Sequence, residues 1–162
     1  MPPKVTDTDR GYGELRRLLG KLRKDRPYVV AGIRGQAGAQ TYQSESGEAI
    51  SLVEVGAVHE FGSRDGRIPE RSYMRSTFDA RRDDYERGLK RAIGRAIDGD
   101  GDIDTELGRL GLVAAGDIQQ TIATLTDPPL AQATIDKKGS SKPLVETGRL
   151  KSSIDSEVRR RG

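Results

Sequence analysis

The sequence predicts a single α+β domain over residues 1–162, with a small, mainly antiparallel sheet packed against two or three long helices. Three observations lead there. Apolar residues recur at three- and four-residue steps over Tyr12–Leu22, Met74–Ile97 and Ile103–Leu125, the period of helices with one buried face. Two short stretches, Tyr28–Ile33 and Ile154–Val158, carry the apolar runs or polar–apolar alternation of strands. A length of 162 residues suits one domain with a proper core.

Taken in order, residues 1–7 read as a disordered lead-in. Thr8–Lys24 forms an amphipathic helix on Tyr12, Leu15, Leu18, Leu19 and Leu22, with Arg16, Arg17, Lys21, Arg23 and Lys24 as a solvated basic face. Pro27 closes it. Tyr28–Ile33 is apolar on both faces, which suits the interior of a sheet. Gly35–Gly47, rich in Gly, Gln and Ser, reads as one mobile loop or as a hairpin with poor strands. Ala49–Phe61 fits helix or strand; the stripe Ile50, Val53, Ala57, Val58 and Phe61 favours helix. A long helix runs from Ser72, as N-cap, to Ile97 on the stripe Met74, Phe78, Tyr85, Leu89, Ile93 and Ile97. Gly99–Gly101 breaks it, and Asp102 or Asp104 caps the next helix, which Asp127-Pro128-Pro129 stops. Leu130–Ser141 holds one helical turn, Thr147–Leu150 a capped turn, and Ile154–Val158 a half-exposed strand that pairs with the Tyr28 strand.

Composition excludes several function classes. Charged residues make up 33% of the chain with both signs mixed, for a net charge of +3. That is too balanced to mark a nucleic-acid binder outright. There is no cysteine, hence no disulfide or thiolate chemistry, which fits a reducing compartment. No run approaches a membrane span, so the expectation is a soluble protein of the cytoplasm, or one assembled there into something larger. The single histidine, His59, precedes Glu60 as in a zinc-protease HExxH, but Ser63 stands where the second histidine belongs. Asp98–Asp102 mimics a calcium loop yet lacks glycine at Ile103 and the bidentate glutamate at Arg109. Gly32, Gly35 and Gly38 lack the following Lys-Ser/Thr of a phosphate loop. No catalytic, cofactor or metal residues are expected, and the chain is not expected to be an enzyme.

The densest stretch is Ala57–Arg75. Val58 and Phe61 read as core anchors, Gly62-Ser63 ends their element, Ser63–Arg67 is a polar turn, and Pro69 forces an extended backbone at Ile68. Arg64, Arg67, Arg71 and Arg75 interleave with Glu60, Asp65 and Glu70. Planar guanidinium–carboxylate contacts suit a fixed loop or subunit joint better than a loose tether. Glu60, Arg64, Arg67, Glu70, Arg71 and Arg75 are therefore the candidate interface residues.

The order His59-Glu60-Phe61-Gly62, then Ile68-Pro69-Glu70-Arg71-Ser72-Tyr73-Met74-Arg75, resembles a motif of phage neck and tail-completion proteins, "EFG" followed by "iPaRpF" and a long helix. Downstream, Pro129-Leu130, Thr134-Ile135, Lys138-Gly139-Ser140, Pro143-Leu144-Val145-Glu146-Thr147-Gly148-Arg149-Leu150 and Ser153-Ile154 are similar to a run of the phage Mu-type virion-morphogenesis and tail-completion group. The two matches cover Val29–Val158. Ser72, Tyr73 and Gln132 depart from the usual proline, phenylalanine and proline, which leaves the subgroup open.

The resemblance implies a virion structural protein of a tailed phage, assembled in the host cytoplasm. It implies a small α+β domain that forms a ring, commonly sixfold, at the head–tail junction. Its partners are then other copies of itself and other neck, connector and tail-tube proteins, with weak contact to DNA in the channel. Which ring it forms (tail terminator, tail-completion ring or head-side connector) is left open. The competing class is a small basic nucleic-acid-binding protein outside any ring, touching phosphates through the first helix and the Arg159-Arg160-Arg161 tail.

Overall fold

A computed structural model of the chain describes residues 12–43, 47–129, 136 and 148–161. The elements are α1 (Tyr12–Asp25), β1 (Pro27–Ile33), α2 (Gly35–Gly38), β2 (Thr41–Gln43), β3 (Ala49–Ser51), α3 (Leu52–Phe61), α4 (Met74–Asp98), α5 (Ile103–Thr124), α6 (Arg149–Ser152) and β4 (Ile154–Arg160). The expected α+β class is the one observed. The lead-in at 1–7 and the turn in 130–141 fall outside the described residues.

α5 is the central element. It carries the longest buried stripe, Ile103, Leu107, Ala114, Ala115, Ile118 and Ile122. On one side it packs antiparallel against α4, and on the other it lies across a ribbon of β1 and β4. The ribbon is antiparallel, with Pro27 opposite Arg160 and Ile33 opposite Ile154, so the expected pairing of the Tyr28 strand with the C-terminal strand is found. β1 is not interior to a sheet, however. Among the described residues its ladder is with β4, and α5 covers a face that a broader sheet would have presented to another layer. Leu52, Tyr73, Ala115, Ile118, Ile122, Leu150 and Ile154 form the core cluster where α3, α5, α6 and the ribbon meet.

The helix boundaries follow local rules. Asp102 caps α5, its carboxylate accepting from the backbone of Asp104 at 3.1 Å and Thr105 at 3.2 Å. Gly99, in the left-handed region at φ 78°, ends α4. Ser51 opens α3 with a reciprocal capping box to Glu54. Within Gly35–Gly47 lie one short helix and then β2, which pairs with β3 in a hairpin.

α1 is tied on by charge. Lys21 bridges Asp102 at 3.0 Å and Asp104 at 2.9 Å, and Arg160 of β4 reaches the same Asp104. A hydrogen bond from Lys21, opposed by burial and aided by Arg160, holds Asp104 below the usual carboxylate range. Lys21 therefore tethers rather than belonging to a purely solvated basic face.

Two glycines of α5 separate close approach from flexibility. A Cβ on Gly111 would sit 2.9 Å from both Ser156 Oγ and Val29 Cγ1, whereas one on Gly116 would meet nothing. Gly116→Ala is expected to raise stability by about 0.5–1 kcal/mol through helix propensity. Gly111→Ala is expected to lower it by about 1–3 kcal/mol by pushing the helix off the ribbon. Urea unfolding of the two variants checks both, and equal effects would refute the close approach.

Candidate functional site

The stretch Ala57–Arg75 forms one unit, organised on Glu60, a carboxylate that the sequence marked as a candidate interface residue. Glu60 lies on the inward face of α3 and is 2% exposed. Its Oε2 accepts from the backbone N–H of Tyr73 and Met74, both at 2.8 Å. Its Oε1 accepts from the Arg75 N–H at 2.9 Å, the Ser72 hydroxyl at 2.8 Å and Arg75 Nε at 3.1 Å. The first N–H groups of α4 have no partner within the helix, and the positive end of the helix dipole favours an anion there. Glu60 supplies both needs from another helix. Burial pushes its carboxyl up, but the N–H groups of Met74 and Arg75, the Ser72 hydroxyl and the Arg75 guanidinium together hold it below the usual range.

This arrangement corrects two expectations. α4 starts at Met74, and Ser72 does not cap it through its own side chain; Ser72 donates to Glu60 instead. Phe61 is not a core anchor: it is 64% exposed, with the Arg75 guanidinium 4.8 Å above its ring. The buried face of α3 is Leu52, Gly56 and Glu60, one residue out of phase with the expected stripe of Val53, Ala57 and Phe61. Val58 is half-buried.

Between the two helices, residues 62–70 form a loop closed on itself. Gly62 has φ 79°, and a Cβ there would press on Ile68 O and Glu70 N at 3.1 Å. The Ser63 N–H donates to Ile68 O at 2.8 Å, and the Ile68 N–H returns to Ser63 Oγ at 2.8 Å. Ser63 Oγ and the Arg67 N–H both donate to Asp65. The His59 carbonyl accepts from the Arg71 N–H at 2.7 Å, closing the base.

The six candidate interface residues divide. Arg64, Arg67 and Glu70 are exposed on the loop; Arg67 pairs with Asp65, and Glu70 with Arg75 at 2.7 Å. Arg75 is half out, bridging Glu60 and Glu70. Glu60 and Arg71 are interior. Arg71 is 3% exposed, and its Nε and Nη2 donate to the carbonyls of Pro128 at 2.8 Å and Pro129 at 3.0 Å. It fastens the segment after α5 to the base of the loop and is not an outward-facing contact. Of the downstream motif residues, Gly148 sits at φ 65° before α6 and Leu150 is in the core. Lys138, Gly139, Pro143, Leu144 and Thr147 lie outside the described residues.

A second surface was not anticipated. Only part of the α4 stripe is covered: Phe78 is 40% and Leu89 41% exposed, while Thr77 and Ala92 are buried. Phe78, Arg82, Tyr85, Glu86, Leu89 and Leu110 line a shallow groove of about 320 Å³ between α4 and α5. Phe78 and Tyr85 meet edge to face, and the Tyr85 hydroxyl donates to Asp117 at 3.0 Å. Burial, then that bond, pushes the Tyr85 hydroxyl up from its ordinary value. Among the described residues, no three His, Cys, Asp or Glu side chains are placed to hold a metal ion, and no helix is long and apolar enough to cross a membrane.

No protein-family model, curated protein or solved structure matches this chain.

Glu60→Gln is expected to cost about 3 kcal/mol or more near neutral pH, because it removes the buried anion facing Arg75 and the helix N-terminus. Since the folded carboxyl lies below its unfolded value near 4.3, its contribution is present above that pH and fades as pH falls through the folded value. The gap between wild type and Glu60→Gln should therefore narrow in acid. Denaturant unfolding between pH 3 and 7 checks this, and a gap independent of pH would refute it. Arg71→Glu should likewise unfold the base of the loop, lowering the thermal midpoint strongly.

Proposed function

We propose that this chain is a virion structural protein of a tailed bacteriophage. In this reading it assembles as a ring at the head–tail junction, joining tail to head and continuing the DNA channel. The observation that carries the reading is where the motif residues fall. Glu60 caps α4, Gly62 makes the sharp turn, Ile68 and Pro69 extend the closed loop, and Arg71 fastens its base. Each of these residues thus has a structural part in one unit, which supports the reading.

The two exposed surfaces supply what a ring needs. A ring requires a heterologous interface, one face of each subunit meeting a different face of the next. The closed loop offers a stiff knob, with Ile68 exposed between Arg64, Arg67 and Glu70. The α4–α5 groove offers an apolar hole flanked by Arg82 and Glu86. We assign the groove to the loop of the neighbouring copy, Ile68 seating on Leu89 and Phe78. Arg64 or Arg67 then meets Glu86, and Glu70 meets Arg82, so that the charges set register.

Light scattering of the purified protein, with negative-stain images of it alone and mixed with tails, tests this. The expected result is rings, or a monomer that adds a collar at the head-proximal end of the tail. Leu89→Glu and Ile68→Glu, both at exposed positions, should each abolish assembly while leaving the circular dichroism spectrum and thermal midpoint unchanged. A stable monomer that ignores tails and heads but binds DNA with a steep salt dependence would overturn the ring reading in favour of a free nucleic-acid-binding protein.

A further inference from the structure

The fold brings together two basic segments that are far apart in sequence. α1 ends at Asp25, and Arg26 takes φ 38°, the only positive φ outside glycine among the described residues. Its N–H closes the helix on Leu22 O at 3.2 Å, and the chain turns at once into β1. β4 runs to the far end of the ribbon, placing Arg160 opposite Pro27 and Arg159 opposite Tyr28. One residue further, the Arg161 N–H donates to Asp25 O at 3.1 Å, fastening it beside Arg26. Arg26, Tyr28 and Arg161 line one depression of about 400 Å³, with Tyr28 41% exposed.

The other arginines on the ribbon are paired. Arg159 pairs with Glu157, Arg160 with Asp104, and Arg34 with Glu157. Arg26 and Arg161, both exposed, have no carboxylate partner among the described residues. Like charges held on one depression repel, and an anion between them relieves this. Planar guanidinium groups take phosphate oxygens in pairs, and an exposed tyrosine ring stacks on an unpaired base. Arg23 and Lys24, in the last turn of α1, extend the positive surface.

We propose that this depression binds a single-stranded nucleic acid. One backbone phosphate lies between Arg26 and Arg161, and the adjoining base lies on Tyr28. The site goes beyond the ring reading and stands or falls independently of it.

Fluorescence anisotropy with a labelled oligothymidylate of about twenty nucleotides, over a series of salt concentrations, tests the site. Arg26→Gln with Arg161→Gln should lower the slope of log affinity against log salt by about 0.7, the value for one phosphate neutralised on a single strand. Tyr28→Leu should weaken binding about tenfold at a nearly unchanged slope, which a purely electrostatic surface would not do. Lys151→Gln, exposed at the opposite end of the ribbon, should change neither. The single variant Arg161→Gln, at the exposed end of β4, guards against misfolding at Arg26 and should lower the slope by about half as much. Unchanged binding in the double variant, or equal weakening by Lys151→Gln, overturns the site. Tighter binding of a duplex of the same length, insensitive to Tyr28→Leu, also overturns it, because a stacked base is then not read. A ring that fails to bind the oligonucleotide refutes this site alone, and a monomer that binds it through these residues refutes the ring alone.

Discussion

A carboxylate withdrawn from water to face the open end of a helix is stable only while every donor around it stays in place. Glu60 gathers three backbone N–H groups, a hydroxyl and a guanidinium, and these come from four consecutive residues, Ser72–Arg75. The direction of α4 relative to α3 is thereby fixed, and with it the position of everything α4 carries. The loop between them has little freedom left, since both its ends are held and its middle is bonded to itself. Arg71 extends the constraint to the segment leaving α5. One buried anion thus couples α3 to α4, and Arg71 couples their junction to the exit of α5.

The second organising fact is that α5 alone lies between α4 and the ribbon. A helix sandwiched this way needs apolar or small residues round most of its circumference, and α5 has them. α4 has one large neighbour. Its polar contacts to α5 run in antiparallel register, Thr77 to Thr121, Tyr85 to Asp117 and Arg95 to Glu106, and they occupy the face that points inward. The aromatic and leucine side chains flank that face and remain half in water. An amphipathic stripe shows that a helix has an apolar side; it does not show that the same chain covers all of it.

That distinction accounts for what the sequence revealed and what it hid. The stripe of α5, its Asp102 cap, the Gly99 stop and the alternation of β4 are local signals, and each is found where periodicity and capping chemistry put it. The phase of α3 is not set by its apolar stripe, because the buried positions are Leu52, Gly56 and Glu60. With Glu60 inside, the helix rotates and Phe61 swings to the surface. The Ser51-Leu52-Val53-Glu54 capping box is a local signal that marks the start of α3 and divides Ala49–Phe61 into strand and helix. No local rule exposes the hold of Arg71 on Pro128 and Pro129, because the partners are carbonyls, which every residue carries. In the same way, the meeting of Arg26 with Arg161 follows only from the ribbon register.

The pairing of β1 with β4 has a consequence for the order in which the chain acquires its form. α4 and α5 are joined by a short connection and meet through neighbours in sequence, so their hairpin closes at little entropic cost. The ribbon joins opposite ends of the described chain, and such long-range closure is slow. During synthesis, β4 emerges after α5, so the side of α5 that the ribbon covers, around Ala115 and Ile118, stays wet until the last strand arrives. Without β4 the helical hairpin keeps an open apolar flank, and β4 is the element that helps to close it.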